Sequence, residues 1–237
     1  MDNASSDGSA EALKKAYGNR ITVIENKENL GGSGGFNTGL RIVRDKGYSY
    51  FMCLDDDAAV DENALSVLYH YMEEHTDTGM AGCRVYHTQM SDYIQQSGLL
   101  IDFDNCTAKT IGADMPEDGS LPDVIECDTV ATCAVMVRAD TVKQKGVGIM
   151  PEDNFIYWDD MEWGYRIKLA GYRVVTLAEA KALHQMGANT KKENTFINYY
   201  MWRNRTNFFM RFTPEAQMEA MSVKVLGAVF DAMLSLI

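Results

Sequence analysis

The stretch Tyr48-Ser49-Tyr50-Phe51-Met52-Cys53-Leu54-Asp55-Asp56-Asp57 joins a continuous apolar and aromatic run to three carboxylates. Such a run marks a strand buried on both faces. In open α/β sheets, ligands bind outside the carboxyl ends of the strands. Alternate residues of an extended segment point the same way. Asp55 and Asp57 could therefore aim at one ion while Asp56 points elsewhere. Hard divalent cations such as Mg²⁺ and Mn²⁺ take oxygen ligands and share their shell with substrate phosphates. A solvated acidic turn would carry the same three letters. Their place at the end of a buried strand is what favours the ion.

Working outward, residues 9–17 read as a short helix closed by Gly18, and the β-branched residues 21–24 as a short strand. Residues 29–35 form a glycine-rich loop. Phe36, Leu40 and Val43 then fall at helical spacing, and Gly47 ends that helix. Downstream, Asp61 is placed to cap a helix with Leu65, Leu68 and Met72 facing inward. Strand, helix, strand, helix implies an α/β domain with a largely parallel sheet flanked by helices. Val85, Tyr86, Ile94 and residues 99–101 suggest short strands, residues 114–123 a loop and residues 130–137 a strand. Residues 159–169 read as a helix closed by Gly171, and residues 172–177 as a strand. Residues 194–212 are rich in aromatics and arginines and read as helical. The apolar residues 223–237 read as a packed terminal helix. With no repeat or linker, residues 1–212 are expected to form one catalytic domain, followed by a helical segment over residues 213–237.

The chain has 237 residues, with 22 Lys+Arg against 34 Asp+Glu, a formal net charge of −12. This excludes a protein that grips nucleic acid through its phosphates, which needs a basic surface. The five cysteines include no C-x-x-C pair, so buried free thiols in a reducing cytoplasm are expected. The polar start Met1-Asp2-Asn3-Ala4-Ser5-Ser6 has no signal-peptide pattern, and no apolar run is long enough to span a membrane.

Three further constellations bear on chemistry. In Trp158-Asp159-Asp160-Met161-Glu162-Trp163, acids stand at a helix start, where the dipole favours them. That explains one or two acids, but not three between tryptophans. A carboxylate walled by aromatics is desolvated and more basic, as a general base requires. In Asn29-Leu30-Gly31-Gly32-Ser33-Gly34-Gly35, glycines let backbone approach a ligand, although no lysine follows as in a P-loop. His184 lies just past a strand, and Arg203 and Arg205 could neutralise a pyrophosphate.

In their joint order, five elements resemble the family 2 glycosyltransferases of GT-A fold: Asp2-Asn3-Ala4-Ser5-Ser6-Asp7-Gly8-Ser9, Asn29-Leu30-Gly31-Gly32, Asp55-Asp56-Asp57, Asp159-Asp160-Met161-Glu162 and His184. Three aspartates followed by W-D-D-x-E-W are most similar to bacterial galactofuranosyltransferases, with rhamnosyltransferases close behind. The resemblance implies an inverting transfer of galactofuranose, or second rhamnose, from a UDP- or dTDP-linked donor to a glycan or lipid-linked acceptor. It implies Mn²⁺ or Mg²⁺ on Asp55, Asp57 and His184, with Asp160 as the general base. It implies donor contacts from Asp2, Asn29, Gly31, Gly32, Asp56 and Arg203. Trp158, Asp159, Glu162 and Trp163 would shape the acceptor site. Family members place a strand and helix before the D-N-A-S-S-D segment. Here Met1 directly precedes Asp2, so the first β-α unit is expected to be lacking and a sheet edge to be open. A cytoplasmic location at the inner membrane face, peripheral membrane contact and homo-oligomerisation are further expectations. Rival readings are a nucleotidyltransferase of related fold and a non-catalytic glycan- or partner-binding remnant.

Overall fold

A computed structural model of the protein describes residues 1–185 and 195–234. The chain opens with α1 (Ser9–Tyr17) and α2 (Gly31–Lys46), and the diagnostic apolar run forms β1 (Tyr50–Leu54). Then come β2 (Ala58–Val60), α3 (Ala64–Glu74), β3 (Thr78–His87), β4 (Met90–Gln96), β5 (Leu99–Asp102) and β6 (Thr107–Thr110). After β7 (Met115–Pro116), β8 (Val124–Glu126) and β9 (Ala134–Arg138), the chain ends in α4 (Asp159–Leu169), β10 (Arg173–His184), α5 (Thr195–Phe212) and α6 (Met218–Leu234).

The main sheet runs β1-β9-β3-β10-β2. Among its described strand pairs, only β10 with β3 is parallel; β9 lies antiparallel to both β1 and β3. The sheet is therefore mixed, which corrects the expectation of a largely parallel one. Parallel neighbours need a long crossover, usually a helix. Here β9 and β2 return through loops and turns, so antiparallel pairing is open to them. β1 pairs with β9 on one side, and its other edge has no strand partner among the described residues.

Side chains alternate between two cores, as strand geometry requires. Met80, Val135 and Val174 pack under α2 and α4 with Leu40, Trp163 and Ile167. Their neighbours Ala81, Ala134, Met136 and Val175 pack against Ala64, Leu68 and Met72 of α3. A third cluster joins Trp158 and Met161 to Phe208 and Phe209 of α5 and Met221 and Val225 of α6. All five cysteines are buried free thiols. No helix among the described residues is long and apolar enough to cross a membrane.

Several local expectations change. Residues 21–24 form no strand; Asp2 and Glu25 make a single parallel bridge, because only a short segment around Asp2 lies alongside. The glycines of residues 31–35 start α2 instead of preceding it. At Gly31 (φ +73°), a Cβ would stand 2.2 Å from the Phe155 carbonyl oxygen, so the close approach demands glycine. Leu65 is exposed and Ala64 takes its inward place on α3; Asp61 receives the Ala64 N–H through its main-chain oxygen, not its side chain. β10 continues past residue 177 through an irregularity between Leu177 and Lys181 and ends on His184. On α6, Met221 and Val225 pack inward while Val223, Leu226 and Phe230 stay exposed. Asn194 and residues 235–237 lie outside the described residues.

Trp163 is fully buried, stacks on Phe51 and donates its indole N–H to the Gly148 carbonyl at 3.1 Å. Trp163→Ala is expected to destabilise the fold by ~3–5 kcal/mol in urea denaturation; a loss below ~1 kcal/mol would contradict this placement.

Candidate active site

The site begins where β1 stops. Asp55 extends the β1–β9 ladder, its N–H reaching the Cys133 carbonyl at 3.1 Å, and its carbonyl accepts the Ala58 N–H at 3.2 Å. The chain thereby turns into β2, which pairs antiparallel with the end of β10 and sets His184 opposite Ala58. This register brings His184 Nε2 to 3.2 Å from Asp57 Oδ1 and 3.8 Å from Asp55 Oδ2. One potential ligand atom from each of the three residues lies within 4.8 Å of the others. Asp56 is exposed and outside this cluster, in the turn that joins β1 to β2. Burial, above all, pushes the Asp55 carboxyl up to about 6, against the pull of His184.

Gln95, on β4, was not anticipated. Its amide oxygen lies 2.7 Å from His184 Nδ1 while its Nε2 donates to the His184 carbonyl at 3.1 Å. The second bond fixes the amide orientation. An amide oxygen only accepts, so Nδ1 carries the proton and the Nε2 lone pair faces the carboxylates. This is the outer-shell arrangement typical of a metal-binding histidine.

Facing this cluster across a cavity of about 800 Å³ are Asp159 and Asp160 at the start of α4. Gly32, Asp55, Tyr157, Trp158 and Met161 share its lining. Burial raises both carboxyl pKa values. For Asp159 it is opposed by its own backbone and by the Ser33 hydroxyl, which donates to Oδ2 at 3.1 Å. For Asp160 burial and then the Asp159 charge push the value to about 7. The Thr129 hydroxyl donates to the Asp160 carbonyl at 2.7 Å and pins the backbone there.

The approach to these acids is strained. Phe155, Tyr157 and Trp158 have φ of 66°, 65° and 63°. Left-handed conformations cost residues with a Cβ ~1–2 kcal/mol each. Fully buried Asn204 holds this segment: its Nδ2 reaches the carbonyls of Asn154, Ile156 and Tyr157, each at 2.8 Å, sharing two hydrogens among three acceptors.

Other expected site residues have structural partners. Asp2 accepts the Ser5 N–H at 3.1 Å. Asn29 Oδ1 accepts from Asn3 at 3.0 Å and from the Gly31 N–H at 2.9 Å. Arg203 donates from Nη2 to the Asp153 and Asn154 carbonyls and from Nε to Asn204, which leaves Nη1 without an acceptor among the described residues. Two placements correct the sequence reading. Glu162 is fully buried between Arg166 and Arg211. Trp163 lies in the core beneath the sheet. Neither of the latter two lines the cavity.

Residues 1–136 match the family model for glycosyl transferase family 2. The chain belongs to that family. It is also similar to the galactofuranosyltransferase GlfT2 of Mycolicibacterium smegmatis, at 23% identity over 214 residues, covering 84% of this chain and 32% of GlfT2. Among solved structures it is similar to GalNAc-T7 with UDP, GalNAc and Mn²⁺ (TM-score 0.65, 12% identity, 89% of this chain and 40% of that one). It is also similar to the mannosyltransferase PcManGT of Pyrobaculum calidifontis with GDP-Man and Mn²⁺ (TM-score 0.60, 14% identity, 94% and 58%). These likenesses establish the GT-A fold. The chain spans about a third of the length of GlfT2 and 40% and 58% of the two solved chains.

If Gln95 orients His184, Gln95→Leu weakens Mn²⁺ binding, followed by electron paramagnetic resonance, by about 10–100-fold. Unchanged affinity would show that His184 needs no such support.

Proposed function

We propose that this family 2 domain transfers a sugar from a nucleotide-diphosphate donor to a hydroxyl of a glycan or lipid-linked acceptor, with inversion. Galactofuranose is the sugar favoured, because the curated relative GlfT2 is a galactofuranosyltransferase. The observation that carries the reading is the cavity shared by Asp55, of the Asp-Asp-His cluster, and Asp160. One end has ligands for a cation and the other a desolvated base.

Two carboxylates and one imidazole nitrogen fit Mn²⁺ or Mg²⁺, and both solved relatives hold Mn²⁺, one with UDP and one with GDP-Man. When bound, such a cation neutralises charge on the departing diphosphate. The chain's own residues do the rest. Gly32, at the start of α2, borders the cavity on the donor side, and Asp2, Asn29, Gly31 and Asp56 are proposed to complete the donor contacts. Trp158 provides an aromatic wall for the acceptor. Asp159, oriented by the Ser33 hydroxyl, stands beside Asp160, and when ionised its charge adds to the basicity of Asp160. Asp160 takes the proton from the attacking hydroxyl, and a value near 7 suits that role at neutral pH.

Calorimetry with UDP, dTDP and GDP, each with and without Mn²⁺, tests the reading. UDP is expected to bind tightly only with Mn²⁺, and Asp57→Ala to remove that dependence; nucleotide binding indifferent to Mn²⁺ would overturn it. Asp160→Asn is expected to lower turnover by about 10²–10⁴-fold with donor binding retained. Because the raised pKa of Asp160 keeps it protonated at low pH, kcat/KM should rise with pH through an acid limb. A nearby cation would lower that limb below about 7. A profile flat across the acid range would remove Asp160 from the role of base.

A further inference from the structure

Arg205 lines the same cavity from α5. Its Nε donates to the Cys106 carbonyl at 2.5 Å, and its guanidinium lies over the Trp202 ring at 4.9 Å. Its two terminal nitrogens have no acceptor, and no carboxylate pairs with it, among the described residues. The free terminal nitrogens set it apart, because Arg20, Arg138 and Arg203, which also meet no carboxylate there, each donate from a terminal nitrogen to a main-chain carbonyl. Arg84, Arg166, Arg173 and Arg211 each meet a glutamate.

The position of Arg205 is also particular. Burial lowers its pKa, and the nearby Cys106 thiol, itself held in the neutral form by burial, gives it no counter-charge. Arg205 shares the lining of this cavity with Asp55, Asp159 and Asp160, but forms no ion pair with any of them. A part-buried guanidinium without a counter-charge carries an unrelieved desolvation cost. Its free end-on edge, one N–H from each terminal nitrogen, matches the two oxygens of a carboxylate or phosphate.

We propose that Arg205 recognises an oxyanion on the acceptor, a sugar carboxylate or a phosphate, held within this cavity. Leu99, Ala108, Trp158 and Met201 supply apolar surface for the sugar ring between them. The inference rests on the reading of this cavity as the acceptor site.

The test uses p-nitrophenyl β-galactoside, the matching galacturonide and the matching 6-phosphate, titrated into the protein with Mn²⁺ and saturating UDP. The galacturonide or the 6-phosphate should bind at least about tenfold tighter than the neutral glycoside, the scale of a charge-assisted hydrogen bond. Which of them does so tells a sugar carboxylate from a phosphate. Arg205→Gln should equalise all three. Arg205→Lys, which keeps a donor for the Cys106 carbonyl, should fold and keep part of the preference. Equal binding of the three probes to the wild type, or a preference that survives Arg205→Gln, overturns the proposal. So does a preference seen only without UDP, which would put the oxyanion on the donor side. Mn²⁺-dependent UDP binding in the same titrations reports separately on the proposed function. Its absence would sink that reading, whereas its presence without anion preference would sink only the role of Arg205.

Discussion

The position of β10 between β3 and β2 is the constraint on which the site depends. Parallel pairing with β3 aligns its length with the core, and antiparallel pairing of its last residues with β2 fixes where His184 stands. A one-residue slip in that short ladder would turn His184 to the opposite face and away from Asp57. Gln95 reinforces the same register by bonding both the ring and the carbonyl of His184. The cluster is thus a product of sheet pairing, with each side chain held before any ligand arrives, as preorganised sites require.

The opposite wall is built differently. The acids of α4 are presented by a segment with three left-handed aromatic residues, stabilised by what surrounds it. Asn204 reaches three of its carbonyls, Arg203 meets one of these and that of Asp153 besides, and the Ser33 N–H approaches the Phe155 carbonyl at 3.3 Å. Only glycine at position 31 lets α2 come that near. Strain concentrated beside functional groups and offset by the surrounding scaffold is a recurring arrangement. Here it ties α2, α4 and α5 into one unit around Asp160.

Much of this was legible in the sequence, for identifiable reasons. Asp55 and Asp57 follow an apolar run that reads as a buried strand, which located the cluster, although a turn at Asp56 and Asp57, not strand period, brings the two carboxyls together. Helix α4 and its acids were plain from its start and its closing Gly171. Trp158 and Trp163 show where such reading fails. Trp158 precedes α4 in a left-handed conformation whereas Trp163 lies within the helix, so helical spacing does not relate the two. One tryptophan meets the cavity and the other enters the core. Glu162 resembled a site acid because nothing local reveals Arg211, which closes on it from α5. Gln95 and Asn204 carried no signal, since an amide gains its role only from partners brought near by the fold. The sheet's antiparallel strands were missed because short loops and crossovers are hard to tell apart in the irregular middle of the chain.

The acids that converge on the cavity explain why a cation belongs there. Asp55, Asp159 and Asp160 are each desolvated, and the Asp159 charge opposes ionisation of the other two. In the proposed reading, a divalent ion beside Asp55 would relieve that conflict and leave Asp160 to act as base. The most direct test is anomalous diffraction from crystals grown with Mn²⁺ and UDP. The account predicts one Mn²⁺ peak bound by Asp55, Asp57 and His184 Nε2, with Asp160 across the cavity and unligated. A peak on Asp159 and Asp160 instead, or none at the Asp-Asp-His cluster, would contradict it.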